Sequence, residues 1–187
     1  MNDVLVTSEP ENGRMVRTTP GEPALRYLVR HADAGTRGPG ADDHLRPLSP
    51  SGHARAHLLA DLLRLSAAGE IVSSPYVRCV QTVEPMATRH RRPVVLSDAL
   101  AEGASIEALL HLLRRLPDGS VACTHGDMLR ELTQVIDTPD ERGEQISFDK
   151  GGVWALSLHG DEVSLVEQMR ATCATVDDRH VMMSYMG

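Results

Sequence analysis

Arg30 and His31 close the apolar run ALRYLV and open the loop ADAGTRGPGADDHLRPL. A guanidinium can grip two oxygens of an oxyanion at once, and an imidazole can serve as nucleophile or base. The dipeptide alone is a weak signal. Eighteen arginines and nine histidines in 187 residues give about one Arg-His pair by chance, and the chain has three. Arg89-His90 lies in the basic run RHRR and Arg179-His180 lies near the C-terminus. Only Arg30-His31 follows a strand-like run.

Three more segments carry chemistry. SSPYVR brings Arg78 one helical turn after Ser73-Ser74-Pro75, LAEGAS carries Glu102, and CTHGD carries His125. Each follows an apolar stretch of strand length. In open α/β sheets ligands bind beyond the carboxyl ends of the strands. Four strand ends would then direct two histidines, two arginines and one carboxylate to one edge.

The elements that must position these groups are readable from Ala24 onward. Runs of strand length alternate with longer helical patterns, which defines an α/β sheet. The first strand is Leu25–Arg30. Ser49 caps a helix that has Pro50 at its first position. Its stripe is Ala54, Leu58, Leu59, Leu62, Leu63 and Leu65. A short strand at Glu70–Ser73 leads to a second helix, in which Pro85 predicts a kink or early stop. PVVLSDAL is a third strand with its exit. Ser105 caps IEALLHLLRRL, SVACTH is the fourth strand, and a helix follows over about Asp127–Ile136. Gly151–Leu158 and Glu162–Gln168 form a hairpin around His159-Gly160-Asp161. Residues 1–22 read as a polar leader, 23–170 as one domain and 171–187 as a tail.

Composition narrows the function classes. The net charge of −7 disfavours nucleic acid and anionic membranes as partners. Aromatics make up 3%, so Leu, Val, Ala and Met must build the core. Cys79, Cys123 and Cys173 are odd in number and form no CxxC pair, which suits a reducing, cytoplasmic setting. No apolar run reaches transmembrane length and no signal peptide is visible.

LVRHA, SSPYVRCVQT, LAEGAS and CTHGDML, in this order, resemble the histidine phosphatase superfamily, also called phosphoglycerate-mutase-like. RHADA followed by RPLSPSG resembles its short phosphohistidine-phosphatase (SixA-like) branch, and also the C-terminal phosphatase domain of some bacterial Nudix hydrolases. The Nudix signature itself is absent, and Ala32 stands where many members have Gly. The resemblance covers about Leu25 to Leu158. It implies a three-layer α/β/α sandwich with a mostly parallel central sheet and helices on both faces.

The same resemblance implies the roles. His31 is the nucleophile that accepts a phosphoryl group, Arg30 and Arg78 bind its oxygens, and His125 donates a further hydrogen bond. Glu102 protonates the leaving oxygen and later activates water, with Asp127 in HGD as a competitor for that part. Arg46 is a candidate substrate contact at the entrance, in a loop whose Arg37, Asp42 and Asp43 suit a lid. Physical chemistry agrees, because phosphoryl transfer depends on positioning and charge stabilisation. Neighbouring guanidinium groups would keep the imidazole neutral. Arginines in that role require neither metal nor cofactor.

His53 and His57 stand four apart on one helix, a spacing that can hold a metal, but no third ligand is evident and a solvated face is the better reading. The expected activity is hydrolysis of a phosphomonoester, nucleotide or phosphoprotein, phosphohistidine included, through a phosphohistidine intermediate. The rivals are a non-catalytic phosphoryl-binding module, a metal-dependent hydrolase built on His53 and His57, and a phosphoglycerate-mutase-type transferase. The short chain and LAEGAS disfavour the last.

Overall fold

A computed structural model describes residues 24–38, 40, 42–63, 65–138 and 145–170. The proposed leader and tail, and Cys173, lie outside the described residues. The strands are β1 (Ala24–Arg30), β2 (Ile71–Ser73), β3 (Val94–Leu96), β4 (Ser120–Thr124), β5 (Gly152–His159) and β6 (Glu162–Arg170). The helices are α1 (Pro50–Leu62), α2 (Val77–His90), α3 (Ile106–Arg115) and α4 (Gly126–Leu132).

The sheet order is β3-β2-β4-β1-β5-β6. β3, β2, β4 and β1 pair in parallel, and β5 runs antiparallel to both β1 and β6. The parallel register positions the site. Arg30 lies opposite Thr124, Ser73 opposite Cys123, and Leu96 opposite Ser73. Three backbone bonds carry the ladder past the strand ends: His31 N–H to Thr124 O at 2.9 Å, Ser74 N–H to Cys123 O at 3.0 Å, and Ser97 N–H to Ser73 O at 2.9 Å. Four chain segments therefore leave the sheet at one level and on one edge.

Side-chain alternation puts a core on each face. Leu28, Ala122, Trp154 and Leu156 pack with Leu109 and Leu113 of α3 and Met128, Leu129 and Leu132 of α4. Val29, Val121, Cys123 and Val153 pack with Leu59 and Ala60 of α1 and Cys79, Val83 and Met86 of α2. The result is the expected three-layer α/β/α sandwich. Each fully buried leucine contributes roughly 2 kcal/mol by removing its side chain from water.

Local expectations fare unevenly. Ser49 caps α1 by accepting from Gly52 N–H, with Pro50 in the first turn, and Ser105 caps α3 through Ala108 N–H. The leucines of the expected stripe pack inward, Leu59 and Leu63 buried and Leu58, Leu62 and Leu65 partly buried against the same core, but Ala54 is exposed and the buried face includes Gly52, Ala56 and Ala60. The cause is the loop above it. Ser49 N–H donates to Asp33 O at 2.9 Å, and a Cβ on Gly52 would sit 2.0 Å from that oxygen. Helix and loop thus meet backbone to backbone, and only small residues fit between them. Pro85 does not stop α2, whose Val83, Met86 and Ala87 are buried on both sides of it. Helix α4 ends at Leu132, four residues short of the expected end, and passes into turns.

Candidate active site

His31 leaves β1 with its backbone fixed at both ends: its N–H donates to Thr124 O, and its carbonyl accepts from Gly151 N–H at 3.2 Å. The side chain is 6% exposed. Its Nδ1 lies 2.7 Å from Ala32 O. A carbonyl only accepts, so Nδ1 carries the proton and Nε2 presents its lone pair to the cleft. Arg78 Nε donates to that Nε2 at 3.3 Å. Burial lowers the His31 pKa to about 4, with Arg78, Arg30 and Arg46 adding to the effect against the Ala32 hydrogen bond. At neutral pH the ring is uncharged.

Arg78, from the first turn of α2, is 1% exposed and forms the centre of the site. Its Nη2 donates to Glu102 Oε2 at 2.8 Å and to His125 Nδ1 at 3.2 Å. Its Nη1 donates to Asp43 O at 2.8 Å and lies 3.0 Å from Asp43 Oδ2. Arg78 therefore joins three segments far apart in sequence.

His125 ends β4, and its ring meets that of His31 edge-on with centroids 5.4 Å apart. Because Arg78 can only donate, His125 Nδ1 accepts, and Nε2–H donates to Ser74 Oγ at 2.9 Å. Burial lowers its pKa to about 3, reinforced by Arg78 and His31. In this geometry Nδ1 is thus an acceptor, whereas the resemblance implies a donor. Tyr76 packs edge-on to His125 at 4.6 Å and lies under the Arg78 guanidinium at 4.5 Å.

Arg30 extends past the strand end, where its Nη1 donates to Phe148 O and its guanidinium lies over Gly126. A Cβ on Gly126 would be 2.8 Å from Arg30 Cζ and Nε, so the glycine of HGD makes room for the arginine of RHA. Glu102 stands half exposed in a turn at the mouth. Asp127 Oδ2 accepts from Gly103 N–H at 2.8 Å and so fixes the turn that carries Glu102, while Oδ1 is buried and has no hydrogen-bond partner among the described residues.

Arg46 makes its contacts within its own loop. Its Nε donates to Asp43 Oδ1 at 2.8 Å, and its Nη1 reaches Ala34 O and Gly35 O at 3.3 Å. It braces the loop, and its charge reaches His31 only through space. Cys79 and Cys123 are buried beside the site, with Cys79 Sγ 3.5 Å from His125 Nε2. Burial raises the pKa of Cys123. His53 and His57 stay exposed on α1, and no group of three metal-ligating side chains forms among the described residues.

Sequence reasoning missed Asp43, Ser74, Tyr76 and Thr82 as parts of the site. Thr82 Oγ1 donates to Arg78 O at 2.7 Å and accepts from Ala32 N–H at 3.0 Å, tying α2 to the residue after His31. Ser74 and Tyr76 flank Pro75 between the strand end and Arg78, and that adjacency was the available signal. Asp43 had no signal beyond its place in a loop.

Fold and site together define an α/β protein with a buried neutral histidine held against the buried Arg78 guanidinium, an arrangement suited to an oxyanion. Residues 26–105 match the histidine phosphatase superfamily (branch 1), and this segment of the chain belongs to that superfamily. It is 33% identical over 145 residues to an 8-oxo-(d)GTP phosphatase of Mycolicibacterium smegmatis (strain ATCC 700084 / mc(2)155). That match takes in 73% of the chain but 45% of the relative, so the chain spans less than half of that protein. Among solved structures it resembles a protein of Agrobacterium tumefaciens assigned as a phosphohistidine phosphatase, SixA. The TM-score is 0.63 at 24% identity, covering 79% of this chain and 98% of that one. A protein histidine phosphatase SixA complexed with tungstate gives 0.63 at 19% identity, with 79% and 97% covered. No helix among the described residues is long and apolar enough to cross a membrane.

Proposed function

We propose that the protein is a phosphatase working through a phosphohistidine on His31. The observation that carries this reading is the His31 Nδ1–H bond to Ala32 O, which leaves Nε2 unprotonated and aimed at the side-on edge of Arg78. In the first step the Nε2 lone pair attacks phosphorus, the bond to the leaving oxygen breaks, and that oxygen takes a proton from Glu102. In the second step Glu102 takes a proton from water, the water oxygen attacks phosphorus, and the P–N bond breaks. Arg78 and Arg30 offset the charge on the equatorial oxygens in both steps. A phosphoryl dianion beside His125 favours the imidazolium, which then becomes a donor to the phosphoryl group.

With arginines filling the electrostatic role, no metal is needed. The half-exposed Glu102 suits an open mouth and therefore a phosphoprotein, a nucleotide or another small phosphomonoester. The name of the Mycolicibacterium relative makes nucleoside phosphates the first substrates to try. Turnover of p-nitrophenyl phosphate with and without chelator, by native protein and His31→Asn, tests the reading. The native protein should be active in both conditions and the variant inactive but folded. A native protein that clears no substrate would be a binding module instead.

A further inference from the structure

Arg78 has five N–H donors; four make hydrogen bonds, and Nη1 also forms an ion pair with the Asp43 carboxylate. Nε and Nη2 point at His31 Nε2, His125 Nδ1 and Glu102 Oε2, the side on which the proposed reaction places the phosphoryl group. Nη1 points the other way and, among the described residues, meets Asp43, through the main-chain oxygen at 2.8 Å and Oδ2 at 3.0 Å. Asp43 is 8% exposed although it belongs to a short loop helix, Asp43–Leu45.

That loop is held from several sides. Asp42 Oδ1 accepts from His44 N–H at 3.0 Å, and the His44 ring stacks on Tyr76 at 4.0 Å. Arg46 Nε grips Asp43 Oδ1 at 2.8 Å, and Arg37 Nε lies 3.6 Å from the same oxygen.

We propose that Asp43 is the positioning residue for Arg78. By holding Nη1 with a hydrogen bond to its main-chain oxygen and an ion pair to its carboxylate, it turns the Nε–Nη2 edge toward the two imidazoles. Two-point recognition of a phosphoryl group needs that edge held in a fixed plane, which an arginine released from Asp43 would lose to rotation. Arg46 acts one link further out as the brace of Asp43, and Tyr76 supports the same guanidinium from its face. The inference rests on the phosphatase reading, since that reading makes the Nε–Nη2 edge the substrate side.

Calorimetric titration with inorganic phosphate tests it, on native protein, Asp43→Ala and Asp43→Asn. Thermal unfolding and p-nitrophenyl phosphate kinetics run in parallel. Asp43→Ala should weaken phosphate binding about tenfold and raise KM by a similar factor, with a smaller fall in kcat. Asp43→Asn keeps one acceptor oxygen and should lose less. Phosphate binding that is unchanged or tighter in a folded Asp43→Ala would overturn the inference, and would make Asp43 a bystander or a competitor for Arg78. If Asp43→Ala fails to fold, native-like phosphate affinity in Asp43→Asn has the same force. Failure of the native protein to bind phosphate would instead overturn the phosphatase reading, and the inference with it.

Discussion

Two imidazoles kept neutral inside the protein must make it acid-labile, by an amount that can be worked out. The pKa values of His31 and His125 fall to about 4 and about 3, from an ordinary 6.5. Between pH 6.5 and about 4.5 the unfolded chain protonates both rings while the native state protonates neither. The unfolded state then binds more protons, so stability falls as pH falls and is fully regained above 6.5. Each ring contributes a slope of up to about 1.4 kcal/mol per pH unit, so the pair removes roughly 4 kcal/mol between pH 6.5 and 4.5. That is a large part of the 5–15 kcal/mol typical of a domain, about one quarter or more of it. Urea unfolding at half-unit pH steps measures the slope. Replacing His125 by Asn should flatten it by up to about 1.4 kcal/mol per pH unit. An unchanged slope in that variant would refute the claim that burial holds the ring neutral.

Two substitutions probe the support of the site. Gly126→Ala puts a Cβ 2.8 Å from Arg30 Cζ and should displace that guanidinium, lowering kcat/KM about tenfold or more with little loss of thermal stability. Ser74→Ala removes the acceptor of His125 Nε2–H. Leaving that donor unpaired costs about 1–3 kcal/mol, to be read as a lowered Tm together with a lowered kcat/KM.

The central sheet and the convergence at its edge were legible because each depends on local pattern. Apolar runs of strand length stop at Arg30, Ser73 and Thr124, and parallel pairing brings those stops level. Arg78 was legible because one helical turn separates it from such a stop. What escaped depends on contacts between distant segments. The small-residue face of α1 answers to Asp33, and α2 continues through Pro85 because buried side chains on both sides hold it. Arg46 looked like a substrate ligand because its loop lies near the mouth, yet the nearest anion it finds is Asp43. Asp43 is buried between Arg78 and Arg46, and no spacing along the chain records its partnership with Arg78.

Trapping the intermediate tests the mechanism most directly. Native protein mixed with a radiolabelled phosphomonoester and quenched in base within milliseconds should carry a base-stable, acid-labile label on His31, absent from His31→Asn. Turnover without any such label, or a label mapped to another residue, would contradict the account.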